Sequence, residues 1–184
     1  VADTVAAMAL GRRLRDAAFI VVVCVALDQL TKEWALNRLG DGSTIDVLPT
    51  LEFDLAFNSG FSFSTGSGNG NLVGLLVIGL CGFIAFQIWH ETRPGRVWLY
   101  AVILGGALGN LLDRIFRADD GILSGEVVDF IDVTWYAVFN VADMFVVVGC
   151  VVFVIVEVVH SRRLMKAEAA ADTPDDTAEE PAVS

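Results

Sequence analysis

The sequence predicts an all-α integral membrane protein with four transmembrane helices and a small β-rich extracytoplasmic loop region. Three observations lead there. Of 184 residues, 55% are apolar and 19% charged, with a mean hydropathy of +0.62, whereas a soluble domain sits nearer about 45–50% and about 25%. The apolar residues gather in four runs close to the ~20 residues that a bilayer core demands. Between the first and second runs lies one long segment, 37–71, whose strand-like stretches at 44–53 and 55–64 surround Pro49 and several Ser/Gly turns.

The first run, 17–27, is too short to span alone, but no turn signal follows it. Continued as a helix through 36, it reaches the required length and places Asp28 and Lys32 one turn apart on one face. The basic cluster at 12–15 precedes it as in a signal peptide, yet no small-x-small site follows, so a retained anchor is expected. The second span, 72–89, carries no charge. The third, 97–114, closes on Asn110, Asp113 and Arg114, and the fourth, 141–159, opens on Asp143 with Asn140 just before it. Residues 1–15 then form a cytoplasmic segment, 16–166 the membrane domain and 167–184 a disordered acidic cytoplasmic tail. That tail holds Glu168, Asp172, Asp175, Asp176, Glu179 and Glu180 without one basic residue.

Charge placement sets the direction of the spans. Arg12, Arg13, Arg15, Arg93, Arg96, Arg162, Arg163 and Lys166 fall on the termini and the middle loop, against Lys32, Arg38, Arg114 and Arg117 on the other side. The positive-inside rule makes both termini cytoplasmic and turns 37–71 and 116–140 outward. A formal net charge of -11 argues against nucleic acid as a partner. Cys24, Cys81 and Cys150 each lie within an apolar run and are expected as small buried hydrophobes rather than as disulfides or metal ligands.

An ionisable residue inside a span costs roughly 2.5–3.5 kcal/mol on insertion scales, so each is a functional hypothesis. Asp28, Lys32, Asn110, Asp113, Arg114, Asn140 and Asp143 all collect toward the outer face, joined by Asp129 in the apolar stretch VVDFIDV, which is expected to dip back toward the interface. His90 and His160 fall at the opposite ends, which removes zinc-protease chemistry. A Ser/Lys pair built on Lys32 competes with the simpler ion pair of Lys32 and Asp28. Carboxylate chemistry remains: two acids in a low-dielectric pocket share a proton, so one activates water while the other protonates the leaving group. Spacing alone does not rank Asp129 against Asp132. Each polar residue also has a structural alternative, as an ion pair, a helix-end hydrogen bond or a charge on a helix dipole. Gly105, Gly106 and Gly109 are expected as small packing residues between helices.

The ordered motifs DQLTK at 28–32, NSGFSF at 58–63, GNLLDR at 109–114, VVDF at 127–130 and FNVAD at 139–143 together resemble the lipoprotein signal peptidases, or signal peptidase II. The resemblance covers about 12–166. It implies a bacterial membrane aspartyl endopeptidase that cuts diacylglyceryl-modified prolipoproteins just before the lipidated cysteine, with no cofactor and no metal. By that resemblance Asp129 and Asp143 are the catalytic pair. Asn58, Gly60, Asn110, Asp113, Arg114 and Asn140 line the groove or support the pair, and Asp28 with Lys32 is a supporting ion pair. A monomer in the cytoplasmic membrane is expected, in contact with lipids, with the charge rule placing its site at the extracytoplasmic face. The family often has a small pair after the glycine of N-x-G, where this chain has Phe61-Ser62. A proton-coupled transporter and a non-catalytic scaffold for lipoprotein precursors are the alternatives from other classes.

Overall fold

The computed structural model describes residues 2–60, 70–118 and 121–171. Helix α1 (Ala2–Leu39) leads into strands β1 (Ile45–Leu48) and β2 (Leu51–Asn58). Helices α2 (Gly70–His90) and α3 (Pro94–Phe116) follow, then strand β3 (Val127–Val133) and helix α4 (Val141–Ala171). Helix α3 is central, packing against the other three. Its position follows from small residues: a Cβ on Gly105 would lie 2.5 Å from the Cys24 side chain, and one on Gly106 would lie 2.5 Å from the Ala142 carbonyl oxygen. The glycine-rich stretch of α3 therefore brings α1 and α4 to backbone distance on two faces of one helix.

Helices α2, α3 and α4 are each long and apolar enough to cross a bilayer. Helix α1 is long, but its charges at Arg12, Arg13, Arg15, Asp16, Asp28, Lys32 and Glu33 keep it out of that class by composition. Three spans, rather than the four expected, are thus established on length and composition. Helix α1 begins at Ala2, well ahead of the expected start near 17, and α4 continues past Lys166 to Ala171. The rest of the acidic tail, 172–184, and Phe61, Ser62, Phe63 and Ser64 lie outside the described residues. Cys24 and Cys81 are buried, whereas Cys150 is exposed on α4, because a helix surface in lipid can carry a small thiol at no polar cost.

Strands β1, β2 and β3 form one antiparallel sheet in that order. The third strand is the VVDFIDV stretch, which pairs with β2 instead of simply returning toward the membrane surface. Its β-branched residues and the free edge of β2 give it a ladder, so its backbone groups are satisfied there. The aromatic rings of Trp34, Phe53 and Phe130 meet at centroid distances of 5.4 to 6.1 Å and seat the sheet on the end of α1.

Candidate active site

The charged residues of the spans converge at the end of the bundle beneath this sheet. Lys32 and Asp28 are fully buried, with Nζ 2.9 Å from Asp28 Oδ2. Lys32 does not stop at that i, i+4 partner. It also lies 2.8 Å from Asp113 Oδ2 and donates to Asn110 Oδ1 at 2.8 Å, so one ammonium ties α1 to α3 through two bonds. A buried ion pair survives only when its remaining donors and acceptors are satisfied, and this one is. The other Asp28 oxygen accepts the Ala142 N–H at 3.0 Å and so fixes the first turn of α4.

The start of α4 is built by the sequence Asn140-Val-Ala-Asp143. Asn140 Oδ1 accepts the Asp143 N–H at 3.0 Å, and Asp143 Oδ2 accepts the Asn140 N–H at 3.2 Å. This is the reciprocal capping box, with Asn and Asp in the roles usually held by Ser/Thr and Glu. One Asp143 oxygen is thereby spent on the cap, and the other, Oδ1, accepts Asn110 Nδ2 at 2.8 Å. The Asn140 amide nitrogen is left to bridge Asn110 Oδ1 at 3.0 Å and Asp129 Oδ1 at 2.6 Å. One residue, Asn140, therefore ties the Asp129 carboxyl through its side chain and the Asp143 carboxyl through its backbone N–H, and joins both to α3 through Asn110.

Asp129 reaches this place because of a register shift. Phe53 pairs with Ile131, but Ala56 pairs with Asp129, so β2 carries one extra residue between them. Without it Phe57 would stand opposite Val127; with it Asn58 does, on the same face as Asp129. Asn58 Nδ2 then donates to Asp129 Oδ2 at 3.0 Å. Asn58 Oδ1 accepts the Gly60 N–H at 2.8 Å, and Gly60 sits at φ +104°, where a side chain is strained. A Cβ there would also lie 3.0 Å from Arg114 Nη2. Arg114 is buried and donates to the Ser59 and Gly125 carbonyls, both at 3.4 Å, which joins the end of β2 to the segment before β3.

Asp129 is buried and Asp143 half-exposed. Burial, the largest effect, pushes the Asp129 carboxyl up to about 6; the neighbouring Asp143 charge adds to it, while the Asn58 and Asn140 amides and Lys32 oppose it. Such a pair has the chemistry of water activation: one carboxyl holds its proton up to about pH 6 and the other is partly open to solvent. Asp132 stands apart, half-exposed on β3 and paired across the sheet with Glu52. All ten residues singled out in the sequence, Asp28, Lys32, Asn58, Gly60, Asn110, Asp113, Arg114, Asp129, Asn140 and Asp143, belong to this one connected cluster.

Sequence reasoning passed over Gln29 and the exact partner of Gly109. Gln29 Nε2 lies within 3.1 to 3.3 Å of Asp28 Oδ2, the Gly109 carbonyl and Asp113 Oδ1. Its signal was its place inside DQLTK, but neighbours at i, i+1 do not share a helix face, and only the length of the side chain lets it turn back. Gly109 is a packing residue of an unusual kind, since a Cβ on it would lie 2.5 Å from Asp28 Oδ2. Asp113 has two further partners, the Val128 N–H at 3.2 Å and Arg117 Nε at 3.3 Å, and through the first it anchors β3 directly before Asp129.

A family model described as signal peptidase (SPase) II matches residues 20–159. A lipoprotein signal peptidase of Bifidobacterium adolescentis is 41% identical over 151 residues, covering 78% of this chain and 79% of the relative. One of Mycobacterium tuberculosis is 39% identical over 148 residues, covering 80% and 73%. Among solved structures, one described as a bacterial membrane enzyme determined by the in meso method at 1.9 Å resolution superposes with a TM-score of 0.66 at 25% identity. It covers 77% of this chain and 91% of its own.

Proposed function

Because the chain belongs to the signal peptidase II family, a bacterial membrane peptidase that removes signal peptides from lipoprotein precursors, we propose that Asp129 and Asp143 are its catalytic pair. The observation that carries this reading is the Asn140 side chain, which holds Asp129 while its own backbone holds Asp143. In the proposed reaction Asp143, the more open of the two, takes a proton from water. The hydroxide adds to the scissile carbonyl carbon as Asp129 gives its proton to the carbonyl oxygen. Collapse of the tetrahedral species breaks the C–N bond as the proton held on Asp143 passes to the departing amine and one hydroxyl of the tetrahedral carbon returns its proton to Asp129.

The substrate we infer is a prolipoprotein whose cysteine bears a diacylglyceryl group, cut just before that cysteine. Each buried CH₂ of the acyl chains is worth roughly 0.8 kcal/mol, so lipid binding can position a peptide bond that has few other handles. In this reading α1 crosses the bilayer as a fourth span, its buried charges shielded by α3. Both termini are cytoplasmic, the carboxyl pair lies at the extracytoplasmic face, and the protein works as a monomer among membrane lipids.

The test is cleavage of a diacylglyceryl-modified prolipoprotein peptide by the purified chain in detergent. Activity is expected to survive a metal chelator and to vanish in both Asp129→Asn and Asp143→Asn, with melting curves showing both variants folded. Continued cutting by either folded variant would overturn the assignment and turn attention to Asp132.

A further inference from the structure

At the opposite end of the bundle from the carboxyl pair, α3 and α4 enclose a groove of about 490 Å³. Of the residues lining it, Arg93, His160 and Arg163 lie toward the start of α3 and the far end of α4, and Leu99, Ile155 and Val159 lie nearer the middle of the bundle. Eight residues separate Ile155 from Arg163, which at ~1.5 Å per residue sets the basic end roughly 12 Å beyond the apolar one. We propose that this groove binds one anionic glycerophospholipid, its phosphate between Arg93 and Arg163 and its first acyl carbons against Leu99 and Ile155.

The charges around the groove choose the headgroup. Arg96 is already committed, to Glu91 at 3.3 Å and to Glu157 at 2.5 Å. Neither Arg93 nor Arg163 forms a salt bridge among the described residues, so two cations remain for an anion. Glu157 also lines the groove, and its Oε1 is buried with no hydrogen-bond partner. A glycerol headgroup brings hydroxyl donors for that oxygen as well as the phosphate for the arginines. A choline headgroup has neither a donor nor a net charge to offer. The acidic stretch 172–184 matches the charge but contains only Val183 as a large aliphatic residue, so it cannot fill the apolar half. The groove instead opens among exposed side chains of α4, Ile155 at 55% and Val159 at 43%, which face the hydrocarbon of a surrounding bilayer. This inference rests on the bundle lying in a membrane and is independent of which acids are catalytic.

The experiment is native mass spectrometry of the full chain in detergent, titrated with phosphatidylglycerol or phosphatidylcholine of identical acyl chains. One phosphatidylglycerol is expected to be retained, preferred over phosphatidylcholine by about tenfold, as two arginines at a lipid surface allow. The double variant Arg93→Gln/Arg163→Gln should lose that preference. The charge-matched variant Arg12→Gln/Arg162→Gln, altered at the same end of the bundle but outside the groove, should keep it. Melting curves of both variants check that each remains folded. Equal retention of the two lipids overturns the site, as does an unchanged preference in the first variant or an equal loss in the second. Release of the lipid by millimolar inorganic phosphate would also overturn it, since the groove would then be reading phosphate alone.

Discussion

Asn140 Nδ2 donates to Asp129 Oδ1 at 2.6 Å, a short bond between the cap residue of one helix and an acid on a neighbouring strand. The cap and the proposed dyad are thus one object. The geometry that starts α4 also decides where Asp143 points, because Oδ2 is occupied by the Asn140 N–H.

Replacing Asn140 therefore separates two effects. Asn140→Ala removes the cap, worth about 1 kcal/mol, and the amide nitrogen that bridges Asp129 to Asn110. Asn140→Ser restores a capping oxygen without the bridging nitrogen. Melting is expected to fall in the alanine variant and largely to recover in the serine variant. Peptidase activity is expected to fall in both by roughly tenfold to a hundredfold, the cost of losing a hydrogen bond of about 1.5–3 kcal/mol to a charged group. Full activity in Asn140→Ser would mean that the bridge has no role in catalysis.

The raised Asp129 carboxyl gives a pH dependence with a definite sign. Its ordinary value is 3.8 and its value in the fold about 6. Between those two pH values the folded chain holds this proton more often than the unfolded chain does. Stability from this group is therefore complete below about pH 4 and is lost as pH rises through 6. Melting temperatures taken across that window should show the decline in the wild type and a flatter course in Asp129→Asn. Asn58→Ala removes an amide that favours the ionised form, so its decline should extend to higher pH. A window that moves downward in Asn58→Ala would show that the amide favours the neutral acid instead.

Much of this was legible before any coordinates, and the reason is thermodynamic. Charges such as Asp28, Asp113 and Asp143 within apolar runs are too costly to persist unpaired, so their presence announced a shared polar cluster. What spacing did not reveal was partnership across elements. Lys32 looked complete with Asp28, and its second carboxylate, Asp113, is 81 residues away in sequence and visible only once α1 and α3 are packed. The choice between Asp129 and Asp132 was hidden for a different reason. It depends on the extra residue of β2 near Asp54 and Leu55, a local irregularity that shifts which side chain meets Asn58 and carries no compositional signature. The third strand escaped notice because Val127 to Phe130 are all buried whichever face they lie on, so the usual alternation of a surface strand is missing.

Glycine substitutions offer a test of the packing that supports the site. Gly109 and Gly82 are both helical, and alanine at either should gain intrinsic helix propensity of about 1 kcal/mol. Around Gly82 nothing lies within 4 Å of an added Cβ, so Gly82→Ala should be neutral or slightly stabilising. At Gly109 the added carbon meets Asp28 Oδ2 at 2.5 Å and Asp28 Cγ at 3.0 Å. Asp28 cannot turn aside, because its two oxygens are held by Lys32 and by the Ala142 N–H. The strain must instead pass into the α1–α3 and α3–α4 contacts, at the overpacking cost of about 1–3 kcal/mol. Gly109→Ala is thus expected to lower the melting temperature and, by displacing the first turn of α4 with Asp143, to reduce lipoprotein cleavage as well. Equal melting of the two alanine variants would show that α1 and α3 can separate by several tenths of an ångström without loss, and that the close approach at Gly109 is incidental to the site.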